Sequence, residues 1–306
     1  MGVSAVKRVI LRWPFGARRQ HGMVMLSTVW TLFLISAGPL APQQTSNPEV
    51  PAVTPPPALE YHGKPMSLPF RCTDEDIQAA ALTCSEDEPC PVYLELTSVE
   101  EAGNHIRLTG DLHSSTVTLF SVLLGSDDGG ATWRELYERM RGGSLDHVEA
   151  VDADTAWVSG ELVAPLPQDP FLLLTADGGK TWRRRAIFGE GAENHLGTVQ
   201  QFYFSSKTDG SLVIDRGIGS DSDRYELYES RDGGESWNIR QSSQKPIPLK
   251  RPAPAAEWRL RADGPSQSFH VEHRSGERWT TSAAFSVKIG SCKPEPPAGS
   301  DAAPRP

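Results

Sequence analysis

Three segments of the chain repeat one eight-residue pattern, Ser/Thr-x-Asp-x-Gly-x-Ser/Thr-Trp. They run from Ser126 to Trp133, from Thr175 to Trp182 and from Ser230 to Trp237, so the tryptophans stand 49 and 55 residues apart. A repeat at this interval means that each unit is one supersecondary module, which buries its faces only by stacking on its neighbours. That requirement constrains the architecture far more tightly than it constrains activity.

Each copy follows a strand-like run: 117–124 (VTLFSVLL), 171–174 (FLLL) and 225–228 (YELY). A second strand-like run follows each, as in 133–137 (WRELY), so the pattern is the connection of a hairpin. Asp128, Asp177 and Asp232 can accept backbone N–H groups within their own turns. The paired glycines that end in Gly130, Gly179 and Gly234 allow positive φ without a steric penalty. The hydroxyls of Ser126, Thr175 and Ser230 offer further local bonds. Trp133, Trp182 and Trp237 supply large apolar bodies to wedge between sheets, each with an indole N–H that can seek a carbonyl. Turn bonding and packing account for every position, so these residues read as structural.

The three segments resemble Asp-box repeats, also called bacterial neuraminidase repeats, which occur in sialidases, in sortilin-type receptors and in the photosystem II stability/assembly factor family. Residues 151–160 (VDADTAWVSG) resemble the last family's Asp…Gly-Trp-Ala-Val-Gly strand, with Ala156 in place of the glycine and Ser159 interrupting the pattern. The resemblance implies an all-β fold, a β-propeller of four-stranded antiparallel blades joined by Asp-box turns. Four units can be laid out: 92–141, 145–190, 199–243, and a degenerate one that keeps Gly276 and Trp279 but has Arg274 where the aspartate belongs. A fifth blade would need strands from 58–70 and 244–262, so four or five blades are expected. One helix is expected over 74–82, with Thr73 as N-cap and acids in its first turn.

The flanks read differently. Residues 1–38 carry Lys7, Arg8, Arg12, Arg18 and Arg19, then an apolar run and small residues, the form of a secretory signal. Removing them takes the formal charge from −9 to −14, which disfavours nucleic acid as a partner and repels anionic lipid. Contact with a membrane is expected only if the leader stays uncleaved. Residues 39–65 are a proline-rich linker, 66–292 the propeller and 293–306 a disordered tail. The expected location is secreted or periplasmic. Cys72, Cys84, Cys90 and Cys292 are an even set in an exported chain, which favours two disulfides with three connectivities open. Cys84 and Cys90 suit a small closed loop, and Cys72 and Cys292 flank the ordered region and can clasp its ends. Zinc is disfavoured, since no Cys-x2-Cys spacing or histidine pair is present.

Catalytic groups are harder to find. Sialidase chemistry, as the resemblance implies it, needs three arginines around a carboxylate, a tyrosine nucleophile with a glutamate, and an aspartate. Arg107, Arg216, Arg224, Arg259 and Arg261 are scattered, and the family's Arg-Ile-Pro motif is missing; Phe70-Arg71 is the nearest approach. Alternation puts Tyr225 and Tyr228 on opposite faces of their strand. His105, His113, His147 and His195 lack metal-ligand spacing. Arg183-Arg184-Arg185 reads as a charged edge strand, with Arg184 on the other face from its neighbours. Asp221-Ser222-Asp223 lacks the rest of a calcium loop. The expected function is therefore an exported, non-catalytic scaffold or assembly factor that binds a protein partner and needs no cofactor. The alternative is a glycan-active or glycan-binding sialidase-like protein.

Overall fold

The computed structural model describes residues 58–163, 166–189, 195–217, 223–250 and 257–295. The leader expected over 1–38, most of the linker and the last eleven residues of the tail lie outside the described residues. So do Asp221 and Ser222.

The chain opens with β1 (Leu59–Glu60) and α1 (Asp74–Ala79). Three groups of four antiparallel strands follow in turn: β2 (Cys90–Ala102), β3 (His105–His113), β4 (Thr118–Ser126) and β5 (Thr132–Glu135); β6 (Gly143–Ala150), β7 (Ala156–Leu162), β8 (Gln168–Thr175) and β9 (Arg183–Ala186); β10 (Thr198–Phe204), β11 (Gly210–Asp215), β12 (Tyr225–Ser230) and β13 (Asn238–Ser243). A three-stranded sheet of β14 (Trp258–Asp263), β15 (Ser268–Ser275) and β16 (Arg278–Ser286) comes last, and β17 (Lys288–Cys292) returns to pair with β2. The first sheet thereby becomes six-stranded, in the order β1-β5-β4-β3-β2-β17. These four sheets are the blades of a β-propeller. Among the described residues no fifth blade forms. Leu59–Glu60 pairs with the first sheet, Met66 bridges in parallel to Phe285 at the edge of the fourth, and β14 opens the fourth. Residues 59–60 of the expected linker are thus strand, and Glu295 of the expected tail is held by Arg71 and by Asp74.

Strand residues alternate between faces, and here both faces of a blade are buried. Val122 and Leu124 face a cluster that includes Val271, Ala283 and Phe285 of the fourth blade, whereas Leu123 between them faces Leu145, Val148 and Val158 of the second. Leu173 of the second blade lies in that same cluster; Leu172 and Leu174 turn the other way, onto Phe202, Phe204, Leu212 and Ile214 of the third. This double burial explains the unbroken apolar runs of the sequence. The stacking order is fourth, first, second, third. Among the described residues no apolar cluster joins the third blade to the fourth. Ile247 and Leu249 instead cover the third blade's far face at Val213 and Leu227, and the fourth turns Arg259, Arg261 and Glu272 away from Val271.

The three repeated turns are closed by the same bonds. Ser126 Oγ donates to Asp128 Oδ1 (2.8 Å) and accepts the Gly130 N–H (2.9 Å), while Asp128 accepts the Thr132 N–H (2.9 Å) and hydroxyl (2.7 Å). Thr175, Asp177, Gly179 and Thr181 repeat this set, as do Ser230, Asp232, Gly234 and Ser236. The Thr181 hydroxyl and N–H hold the Asp177 carboxyl down at about 2. The glycine pairs need positive φ, 77° and 88° at Gly178 and Gly179. The indoles differ from one another. Trp133 Nε1 donates to Gly130 O (2.9 Å), but the buried N–H groups of Trp182 and Trp237 have no partner among the described residues. Gly276 occupies a tight turn between Ser275 and Arg278, and Trp279 lies under the Arg259 guanidinium (4.2 Å) rather than between blades.

Across blades the contacts recur in register. Arg107 and Trp157 each stand one residue past the pair that adjoins a repeated turn, Ile106↔Ser126 and Ala156↔Thr175. Both are fully buried and both donate to backbone of the next blade, Arg107 to Ala153 O (2.9 Å) and Trp157 to Gly233 O (2.8 Å). The structure joins Cys72 to Cys292 and Cys84 to Cys90. The first bond closes a span of 220 residues, and a native disulfide of this kind contributes about 2–5 kcal/mol. Between them, α1 is capped by Thr73 and Asp76, each side chain accepting the other's backbone N–H, and it stops at Ala79, short of the expected residue 82.

Candidate functional site on the face opposite the repeated turns

Strands β4, β8 and β12 run into the repeated turns, so the ends marked by His113, Leu162 and Asp215 lie on the opposite face. That face differs chemically from the turn side. The first strand of each of the three repeat-bearing blades carries one extra residue at the same register: Thr97 between Leu96 and Ser98, Asp146 between Leu145 and His147, Gln200 between Val199 and Gln201. Each bulge lies opposite the strand position four residues past the turn-side pair, at Gly110, Gly160 and Ile214. Bulges re-aim side chains and are common beside functional sites. Thr97 donates to Leu145 O of the next blade (2.9 Å). Asp146 keeps Oδ2 buried with no hydrogen-bond partner among the described residues.

Three carboxyls here are pushed above the ordinary range. Burial lifts Glu161 to about 8, helped by the charge of Asp146, although Thr198 donates to its Oε1 (3.2 Å). Burial lifts Asp111 to about 6, with Glu95 and Asp146 adding to the effect and His113 opposing it. Burial likewise raises Asp146, against a hydrogen bond from Ser144. Perturbed groups gathered at one place mark candidate sites.

Beside them, between the second and third blades, lies a cavity of about 490 Å³ lined by Leu166, Pro167, Leu196, Thr198, Asp215 and Arg216 among others. Its floor is ordered by charge pairs. Arg224 grips both oxygens of Asp215 (2.9 and 2.8 Å), and Arg216 lies over the Phe188 ring (4.3 Å) and 3.8 Å from Glu226. Leu166 and Leu196 stay exposed at its rim, 57% and 36%.

The arginines that a carboxylate clamp would need are dispersed. Arg107 lies at the turn end, Arg216 and Arg224 serve the cavity floor, and Arg259 and Arg261 both bind Glu272. Tyr225 and Tyr228 do face opposite clusters, and Tyr228 donates to Glu226 (2.7 Å). Arg183 and Arg185 both pair with Glu235 of the third repeated turn, while Arg184 covers Phe171 (4.2 Å). His105, His147 and His195 meet Asp127, Ser98 and Asp169. Sequence reasoning missed Asp111, Asp146 and Glu161. They are single acids in strand-like runs, and only the register and the bulges bring them to one region.

No protein-family model matches the chain, and no curated protein sequence matches it. Among solved structures it is similar to YCF48 bound to D1 peptide, with 16% identity over 64% of this chain and 54% of that one and a TM-score of 0.35. It is similar to an α-L-arabinanase of Penicillium chrysogenum, with 14% identity over 65% and 62% and a TM-score of 0.32. A GH74 xyloglucanase of Xanthomonas campestris gives 18% identity over 44% and 18% and a TM-score of 0.33. The chain therefore spans less than two thirds of the length of each. Its own four stacked sheets and three matching turns make it a β-propeller protein.

Proposed function

We propose that the protein is an exported propeller scaffold that holds a segment of a protein partner on the face opposite the repeated turns, in the cavity between the second and third blades. One observation carries the reading. Of three large apolar side chains exposed among the described residues, two, Leu166 and Leu196, meet at this cavity. Large apolar side chains left exposed together at a concavity favour a macromolecular ligand. Two disulfides fit an oxidising compartment, and no helix among the described residues is long and apolar enough to cross a membrane. The sequence resemblance of the turns and of 151–160 to assembly factors supports the same role. Binding is tested by co-purification of the tagged mature chain from its native envelope fraction. The expected result is one stoichiometric protein, reduced at least tenfold by Leu166→Asp with Leu196→Asp and unchanged by Ile239→Asp, the third exposed apolar residue. Equal recovery with the double variant contradicts the reading.

The glycan-active alternative has its own observation, the buried acids Glu161 and Asp146 on adjacent strands. A carboxyl protonated near neutrality is what a general acid for glycosidic cleavage requires. Turnover of a glycan by the wild type that is lost in Glu161→Gln would favour it over the scaffold.

A further inference from the structure

On the first blade Glu95 and Asp111 stand directly opposite each other across β2 and β3, and His113 follows two residues later on the same face. One ligand atom from each lies within 4.8 Å of the others. Two further features set these residues apart from a chance gathering of acids. Asp111 is only 9% exposed and accepts no hydrogen bond among the described residues, although its oxygen is aimed at the other two ligands. His113 is already oriented: its Nδ1–H donates to Ser114 O (2.7 Å), which turns Nε2 toward Glu95 Oε2 (3.9 Å). Metal-binding histidines are fixed in this way, by giving the other ring N–H to a carbonyl or carboxylate. Like charges facing across a ladder also repel, and a bound cation would remove that cost.

We propose that Glu95, Asp111 and His113 bind one divalent first-row metal ion of the zinc type. An imidazole nitrogen with two carboxylates suits such an ion better than Ca²⁺ or Mg²⁺, which prefer oxygen ligands throughout. Three protein ligands leave a fourth position for water or a ligand group. The spacing 95, 111, 113 matches no zinc motif, because the strand pairing and not the local sequence brings the residues together.

The test is calorimetric titration of the tag-free, chelator-treated chain with Zn²⁺ alone, with Ca²⁺ and Mg²⁺ as contrasts. The expected result is one Zn²⁺ per chain, with a higher melting temperature on binding. Glu95→Gln, at an exposed position that leaves folding intact, and His113→Ala should each weaken binding at least tenfold. Asp111→Asn should abolish binding, and without metal it should melt no lower than the wild type, because the repulsion from Glu95 is gone. Absence of saturable Zn²⁺ binding by the wild type, unchanged affinity in both Glu95→Gln and His113→Ala, or Ca²⁺ binding as tightly as Zn²⁺ would each overturn the proposal.

Discussion

Trp157→Ala is expected to cost about 3–5 kcal/mol, the range for deleting a fully buried aromatic side chain, and to lower the melting temperature by about 10 °C. The side chain is 0% exposed, its ring lies flat on Phe204 (3.7 Å between centroids, 3° between planes), and its indole N–H donates to Gly233 O. The substitution removes the centre of the interface between second and third blades and leaves a buried carbonyl without its donor, so the transfer loss and the lost hydrogen bond act together. Trp237→Ala is the informative control. That indole is half-buried, edge-on to Phe204 and without a hydrogen bond among the described residues, and its loss should cost less than half as much. Thermal melts of the two variants side by side check the contrast. Equal losses would mean that the stack on Phe204 and the bond to Gly233 add nothing to what Trp237 supplies without them.

Glu161→Gln should stabilise the protein at high pH and leave it almost unchanged at low pH. The carboxyl titrates at about 8 when folded against an ordinary 4.5, chiefly because it is buried and secondarily because Asp146 is near. Between those values the folded state keeps a proton that the unfolded chain has released. Stability from this group therefore falls as pH rises through the window and levels off above about 8. With about 1.4 kcal/mol for each unit of displacement, the full effect is on the order of a few kcal/mol. Glutamine keeps the shape, can still accept from Thr198, and has no charge to bury. The variant should match the wild type near pH 5 and melt about 5 °C or more higher at pH 9. A difference that stays constant across that range would show that Glu161 ionises normally in the folded chain.

The parts of the fold that the sequence made legible are those with local causes. In each repeated turn the Ser/Thr, Asp, Gly and Ser/Thr bond within a few residues of each other, so spacing alone exposes them. The same holds for Thr73 at the start of α1 and for the opposite faces of Tyr225 and Tyr228. The rest depends on pairing between distant segments. Nothing near Leu59, Met66 or Lys288 announces that these residues edge the first and fourth sheets, so neither the strand at 59–60 nor the number of blades can be read from the local sequence. The bulges at Thr97, Asp146 and Gln200 involve three different residue types, and only the ladders show that they occupy one position. The candidate site was the least legible part for that reason. Its carboxylates come from separate strands, and their chemistry arises from burial, which no motif records.

The account rests on the three repeated turns being packed elements of the fold rather than exposed loops. Amide hydrogen exchange at Gly130, Gly179 and Gly234 tests this most directly, because each N–H is bonded to a buried hydroxyl inside its turn. These amides should exchange as slowly as those of the central strands β4, β8 and β12, and Asp177→Ala should release Gly179 while leaving Gly130 and Gly234 protected. Exchange of all three at the rate of exposed loops would contradict the claim.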